Sequence, residues 1–373
     1  MTILEILTVY QRQFAFKYIF YFLNIRIVVE VGIVQAVIFN SPGKISVTNV
    51  PDPVIKEDEV LISVKASGVC GTDVHIYEGD FIGTYPIIPG HEFSGDVIEV
   101  GKNVTTVKSG DRVAVDPGVF CRKCSFCREN RQNFCENFKA YGVFFNGGFA
   151  ELAAIKEENV YKIDGLSYVE GAMVEPVGCG IHGMKQINME IGDHVLIFGC
   201  GPIGLILMQL CKNYGSATIT MVDTIQKKLD LAKELGATNT LLADTELTKN
   251  LKDIRSDGFH VVIDATGRPS VVQNMFNYVR NRGKLLFFGV CPQNGKIEIS
   301  PYDIYKRELK IFGTFAILYT AIPAIDMIRE KKINVEALVS HRLPLNEFPT
   351  AMNMMMDRTS SMKIIIEPNA GDF

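Results

Sequence analysis

The stretch Val195-Leu196-Ile197-Phe198-Gly199-Cys200-Gly201-Pro202-Ile203-Gly204 decides the fold. Its first four residues are a short apolar run that a glycine ends, the mark of a buried strand, and the residues from Pro202 to about Tyr214 read as a helix. In that setting the three glycines have separate tasks. Gly199 permits a tight turn, Gly201 lets the backbone approach a pyrophosphate, and Gly204 lets helix and strand pack closely, while the helix N-terminus offers amide donors. In a chain with 32 glycines such spacing is weak by itself. The strand-turn-helix context gives it force, and Asp223, 19 residues after Gly204 at the end of the next strand, adds a carboxylate able to accept from both ribose hydroxyls. The expected dinucleotide contacts are Gly199, Gly201, Pro202, Ile203, Gly204, Asp223, Gly289 and Val290, with Lys228 near the ribose or, equally, on a solvated helix face.

Outward from this unit the rhythm is strand, helix, strand. Strands are predicted at Val195 to Phe198, Thr218 to Val222, Thr240 to Leu242, Val261 to Asp264, Lys284 to Phe288 and Leu309 to Phe312, with helices such as Gln226 to Leu235 and Ser270 to Val279 between them. This alternation is that of an α/β, doubly wound parallel sheet. Upstream, short strands at Val37 to Phe39, Ile45 to Val50, Val60 to Ser67, Asp96 to Val100, Arg112 to Val115 and Phe149 to Ile155 suggest a second, mainly β, barrel-like domain. A length of 373 residues, at roughly 150 per domain, also implies two domains and a cleft. The expected division is an N-terminal extension at 1–33, a β-rich domain at 34–176, the dinucleotide domain at 177–312, and a tail at 313–373 that returns to the β-rich domain.

Composition narrows the function. With 47% apolar residues and 21% charged the chain is globular, and 38 basic against 42 acidic residues leave a net charge of -4, without the basic field that nucleic acid requires. The apolar stretch from Phe14 to Phe39 is broken by Lys17, Arg26 and Glu30 before it reaches the roughly 18 residues of a membrane span. No secretory signal is expected, because the start is not basic and no small-residue cleavage site follows. Nine cysteines, an odd number with four bunched together, fit metal-bound thiolates in a reducing cytoplasm better than a disulfide framework.

Cys121-x2-Cys124-x2-Cys127-x7-Cys135 places four soft ligands in one loop and suits a closed tetrahedral zinc site of structural role, tying down a lobe with little hydrophobic content. A redox thiol cluster is the alternative. A catalytic zinc needs fewer protein ligands, and Cys70, His91, Glu92 and Glu175 are the candidates; they are scattered, so spacing does not separate them from a core cysteine and surface carboxylates.

From about Val34 to Glu367 the sequence resembles the zinc-dependent medium-chain alcohol dehydrogenase superfamily, in its sorbitol (polyol) dehydrogenase branch. The resemblance rests on Gly68-Val69-Cys70-Gly71-Thr72-Asp73-Val74-His75, Pro89-Gly90-His91-Glu92, Gly110-Asp111-Arg112-Val113, the four-cysteine lobe, Gly147-Gly148-Phe149-Ala150-Glu151 and Glu175-Pro176. It implies a GroES-like catalytic domain and NAD with two zinc ions per chain. Cys70 and His91 then bind the catalytic zinc, with Glu92 as third ligand and Glu175, where other alcohol dehydrogenases carry cysteine, as a direct or water-mediated fourth. It further implies that zinc lowers the pKa of the substrate hydroxyl, that hydride passes to NAD, and that the proton leaves through Thr72 and the cofactor ribose to His75. Taken alone, Thr72 reads as a turn residue and His75 as a loop histidine. Cys179 reads as small core packing; Cys200, Cys211 and Cys291, and the histidines at 182, 194, 260 and 341, read as structural.

The expected activity is oxidation of a secondary alcohol, a polyol or sugar alcohol, in a dimer or tetramer with no nucleic-acid or membrane partner. Residues such as Tyr77, Phe120, Phe144 and Phe145 are expected to line the substrate pocket. Alternatives are a threonine or sugar-phosphate dehydrogenase of the same superfamily, and a non-catalytic zinc and nucleotide binding protein.

Overall fold

The strand that opens the glycine turn, His194–Phe198, lies at the centre of a six-stranded parallel sheet. The protein is described from a computed structural model that covers residues 16–22, 25–80, 83–357, 359 and 361–369. Thr218–Asp223 and then Asn239–Leu242 pair on one side of the central strand; Phe259–Asp264, Val279–Phe287 and Lys310–Gly313 follow on the other. The chain leaves the central strand in both directions, and that reversal opens a crevice at the carboxyl ends, the general ligand position of such sheets. Val195, Leu196 and Ile197 are fully buried because helices cover both faces, which is why the strand reads as a continuous apolar run instead of alternating.

One helix is shorter than its sequence suggests. The predicted Ser270 to Val279 helix is Pro269–Asn274 plus a 3-10 turn, Met275–Asn277, and Val279 instead opens a strand. Val279 is β-branched, buried and paired with Phe259, so sheet pairing overrides local periodicity there.

In the β-rich half, Glu59–Val69 is the central strand. Glu92–Val100 and Lys363–Glu367 flank it antiparallel, and the path continues through Arg112–Val115 and Val160–Lys162 on one side and Val339–Pro344 on the other. The last of the chain thus enters the same sheet as residues 59–69. The hairpin Ile33–Ser41 and Lys44–Pro51 lies alongside, with Phe39 and Phe149 both packed on the Phe348 ring. Helix Val174–Ile187 joins the halves: Val177, Ile181 and Met184 share one core with Val195, Ile197 and Leu286 of the parallel sheet.

Phe16–Phe22 and Ile25–Val31 form an antiparallel hairpin that pairs with no other sheet among the described residues. The rest of the expected extension, 1–15 and 23–24, and the end of the tail, 370–373, lie outside the described residues. No helix among the described residues is long and apolar enough to cross a membrane.

Candidate active site

Three adjacent strands bring the first candidate metal group together. Cys70 follows the end of Glu59–Val69, Gly68 lies opposite Glu92 in the neighbouring strand, and Val69 lies opposite Ile364 in the other. Cys70, His91, Glu92 and Lys363 therefore meet at one end of the sheet although almost three hundred residues separate the first from the last. One ligand atom from each of Cys70, His91 and Glu92 lies within 4.8 Å of the others, with His91 and Glu92 buried. A side chain at Gly68 would strike the Glu92 carboxylate, so the glycine keeps that space for it.

The supports of this group were not singled out from sequence. Asp73 is buried, its Oδ2 accepts the Cys70 backbone amide at 2.9 Å, and its Oδ1 lies 3.6 Å from His91 Nδ1. Both Asp73 Oδ1 and His91 Nδ1 otherwise lack a hydrogen-bond partner. A carboxylate behind a ligating imidazole, fixing its tautomer and orientation, is the usual arrangement in metal sites. Lys363, buried, donates from Nζ to Glu92 Oε2 at 2.5 Å and to the Val69 carbonyl at 3.2 Å. Burial alone would lower its pKa, but the Glu92 carboxylate and then Cys70 more than offset this and hold it charged. The motif around Asp73 gave a signal for the first; only strand register reveals the second.

Glu175 sits in the first turn of helix Val174–Ile187, outside the Cys70–His91–Glu92 group, and its Oε1 accepts from Cys179 Sγ at 3.1 Å. Cys179 is thus more than packing: one helical turn on, it faces the carboxylate it bonds. Burial, with Glu92 adding to it, pushes the Glu175 carboxyl up to about 7. Thr72 and His75 both lie on a helix, Gly71–Glu78, three residues apart and so on one face, not in a turn and a loop. Thr72 Oγ1 is 3.8 Å from Cys70 Sγ, and His75 Nδ1 is 3.1 Å from Asp80 Oδ1.

The second donor group is Cys121, Cys124, Cys127 and Cys135, all free thiols within 4.8 Å of one another. The Cys121 and Cys127 sulfurs are 3.9 Å apart, far too long for a disulfide and close to the roughly 3.8 Å edge of a tetrahedron with Zn–S of about 2.3 Å. Backbone amides of Lys123 and Cys124 pull the Cys121 thiol down to about 6, the thiolate a metal requires. The donor set fits zinc. The lobe is richer in apolar contacts than its sequence suggested: Phe120 packs on Phe138, and Phe126 on Phe134, because loop aromatics spaced apart in sequence converge when the four sulfurs fold the loop.

At the dinucleotide end, Gly199 has φ +101°, a conformation for glycine, and a side chain at Gly204 would collide with the Gly199 carbonyl. A Cβ on Gly201 would meet nothing within 4 Å, which leaves open space in front of the N-terminus of helix Pro202–Asn213. Asp223 accepts the Cys200 amide at 2.7 Å and the Ile225 amide at 2.9 Å, one on each oxygen, and each oxygen keeps a lone pair for a ligand hydroxyl. Lys228 lies on helix Gln226–Glu234, and Val290 is exposed just past Gly289. Gly289 approaches Asp264, whose buried carboxylate accepts the Thr266 amide at 2.9 Å and shapes the turn facing Gly199; Asp264 too went unremarked in sequence. Of the aromatic residues expected at the substrate pocket, Tyr77 packs on Phe39 and its hydroxyl donates to the Gly43 carbonyl, while the Phe144 ring carries Lys139 on its face.

A two-lobed fold with a dinucleotide turn, a closed sulfur site and a mixed sulfur, nitrogen and oxygen site defines a zinc- and nicotinamide-dependent oxidoreductase. Residues 56–165 match the alcohol dehydrogenase GroES-like domain and residues 202–330 the zinc-binding dehydrogenase domain. D-arabinitol dehydrogenase 1 of Uromyces fabae is 37% identical over 339 residues, covering 90% of this chain and 97% of its own. D-altritol 5-dehydrogenase of Agrobacterium fabrum is 35% identical over 337 residues, covering 88% and 98%. A zinc-binding dehydrogenase of Sinorhizobium meliloti, solved with NADP, superposes with a TM-score of 0.86 at 33% identity over 90% of this chain and 100% of that one. The chain belongs to the zinc-dependent medium-chain alcohol dehydrogenase family.

Proposed function

We propose that the protein oxidises a secondary hydroxyl of a polyol or sugar alcohol with NAD, using one catalytic and one structural zinc per chain. The convergence of Cys70, His91 and Glu92 on one buried point, with Asp73 and Lys363 behind them, carries this reading. The relatives named for arabinitol and altritol support the substrate class. A zinc ion held by this group would polarise the substrate hydroxyl and ease its deprotonation.

The remaining work falls to the chain's own residues. Lys363 occupies one oxygen of Glu92, and the second oxygen would be the one offered to a metal. Glu175, with its carboxyl near neutrality, suits exchange of a proton or a bridging water at the open side. Thr72, beside Cys70, would accept the hydroxyl proton as it hands its own on through the cofactor ribose, and His75, steadied by Asp80, would pass a proton to solvent. Asp223 would hold the adenosine ribose, and Gly199, Gly201 and Gly204 the pyrophosphate. We assign residues 34–176 and 313–373 to the catalytic half and 177–312 to the dinucleotide half. A homo-oligomer is favoured by the edge strand Lys310–Gly313, whose outer side pairs with no strand among the described residues, with Tyr302, Tyr305 and Ile311 exposed nearby.

The decisive experiment is NADH formation by the purified protein over arabinitol, altritol, sorbitol, their phosphates, threonine and simple alcohols, with zinc counted per chain. Preference for a free polyol with two zincs is expected. Preference for a phosphate ester or threonine, or one zinc in a fully active preparation, overturns the respective part.

A further inference from the structure

The four-cysteine lobe reaches the segment that leaves the last strand of the parallel sheet. Gln132 and Asn133, both buried, form the 3-10 turn just before the ligand Cys135. Asn133 Nδ2 donates to the Phe315 carbonyl at 3.0 Å, and Gln132 Nε2 bonds both the Cys127 carbonyl, at 3.3 Å, and the Tyr319 hydroxyl. The Phe134 ring stacks on Phe315, and Phe138 packs on the same ring.

Residues 314–320 leave the carboxyl end of Lys310–Gly313, the end at which the sheet meets its dinucleotide. Thr314 and Phe288, neighbours of the Gly289 turn, lie against Gly183 of the helix that carries Glu175. At its far end the segment is fixed to the same helix, Thr320 Oγ1 donating to the Gly178 carbonyl at 2.7 Å, next to Cys179. Between these anchors Ala316 and Tyr319 have φ +58° and +51°, left-handed values that non-glycine residues hold only when their surroundings over-determine them. Phe315 and Tyr319 are 42% and 55% exposed, so core burial does not hold them. Ile317, buried and packed against Gly178, anchors the middle of the segment in the core, and the lobe contacts hold the two exposed rings on either side of it.

We propose that Gln132 and Asn133 are positioning residues through which the metal lobe sets the geometry of residues 315–319 at the dinucleotide cleft, so that the lobe tunes cofactor affinity as well as stability. This rests on the reading of that cleft as the NAD site. The lobe's sulfurs fix the turn that holds both amides, the amides hold the segment, and the segment joins the carboxyl end of the edge strand Lys310–Gly313 to the helix bearing Glu175.

Two mild variants of the full chain test it, one from each side: Asn133→Ala, and Tyr319→Phe, which removes one hydroxyl and keeps the ring. Each should retain the parent's zinc content and raise the KM for NAD about fivefold, the scale of one lost hydrogen bond, with kcat changed far less. Hydrogen exchange of the 314–320 amides should quicken in both, and in Tyr319→Phe the lobe amides should keep their protection. Cys135→Ser, which loses the lobe metal, should reproduce the faster exchange at 314–320. Unchanged exchange in both mild variants overturns the clamp; faster exchange with an unchanged KM for NAD overturns its positioning role. If the parent protein does not turn over NAD at all, the function reading fails, while the exchange measurement still decides the clamp.

Discussion

Removing the ammonium group of Lys363 should expose how the buried Cys70–His91–Glu92 group is held. Lys363 and Glu92 are 5% and 1% exposed in their side chains and 2.5 Å apart, so neither charge has water to fall back on. Lys363→Met keeps the length of the stem and leaves Glu92 as an uncompensated buried carboxylate, which costs about 3 to 5 kcal/mol when one partner of such a pair is deleted. Glu92→Gln on top of it removes the stranded charge, and the double variant should recover most of the loss, giving a coupling energy of about 2 kcal/mol or more. Bound zinc would itself neutralise Glu92, so the penalty should be smaller in zinc-loaded than in metal-stripped protein. Urea unfolding of the four proteins with and without zinc, and zinc retention against a chelator, measure all three terms. A loss below about 1 kcal/mol in the metal-stripped single variant, or a double variant no more stable than the single, would refute the reasoning.

Other predictions can be checked with the same protein. Asp223→Ser should narrow or reverse a preference for NAD over NADP of about 10- to 100-fold in kcat/KM, since a 2'-phosphate would meet the carboxylate across a partly desolvated cleft; equal use of both cofactors by the parent would exclude Asp223 as the ribose ligand. Burial raises the Asp116 carboxyl from 3.8 to about 6, so the fold is favoured while it is protonated and loses that advantage as pH climbs through 6. At about 1.4 kcal/mol per pKa unit the loss is at most about 3 kcal/mol, and Asp116→Asn should flatten the dependence of stability on pH between about 4 and 6, whereas an unaltered slope there assigns it elsewhere. A chain starting at Val34 should fold and keep its activity, as judged by thermal unfolding and turnover; failure in either would make the preceding segment part of the core.

Local chemistry was legible in the sequence wherever a function is built from neighbours in the chain. The glycine turn after Val195–Phe198, the Asp223 carboxylate one strand later, and four cysteines within one loop each carry their geometry in their spacing, because a turn or a short loop leaves the backbone few ways to arrange them. The alternation of apolar runs and helices likewise determined the parallel sheet. Periodicity misled at Val279, where pairing with Phe259 outweighed the helical pattern.

Tertiary structure alone decided which scattered residues meet. Cys70, Glu92 and Lys363 come together only because Glu59–Val69 takes Glu92–Val100 on one side and Lys363–Glu367 on the other in one particular register, and a slip of one residue would turn each side chain to the opposite face. The same holds for Asn133 and Phe315, 182 positions apart and joined by a single hydrogen bond. Sequence offered candidate metal ligands by resemblance; it had no means of naming the lysine behind them, because register is a property of the packed sheet and of its buried face, and no local stretch of chain contains it.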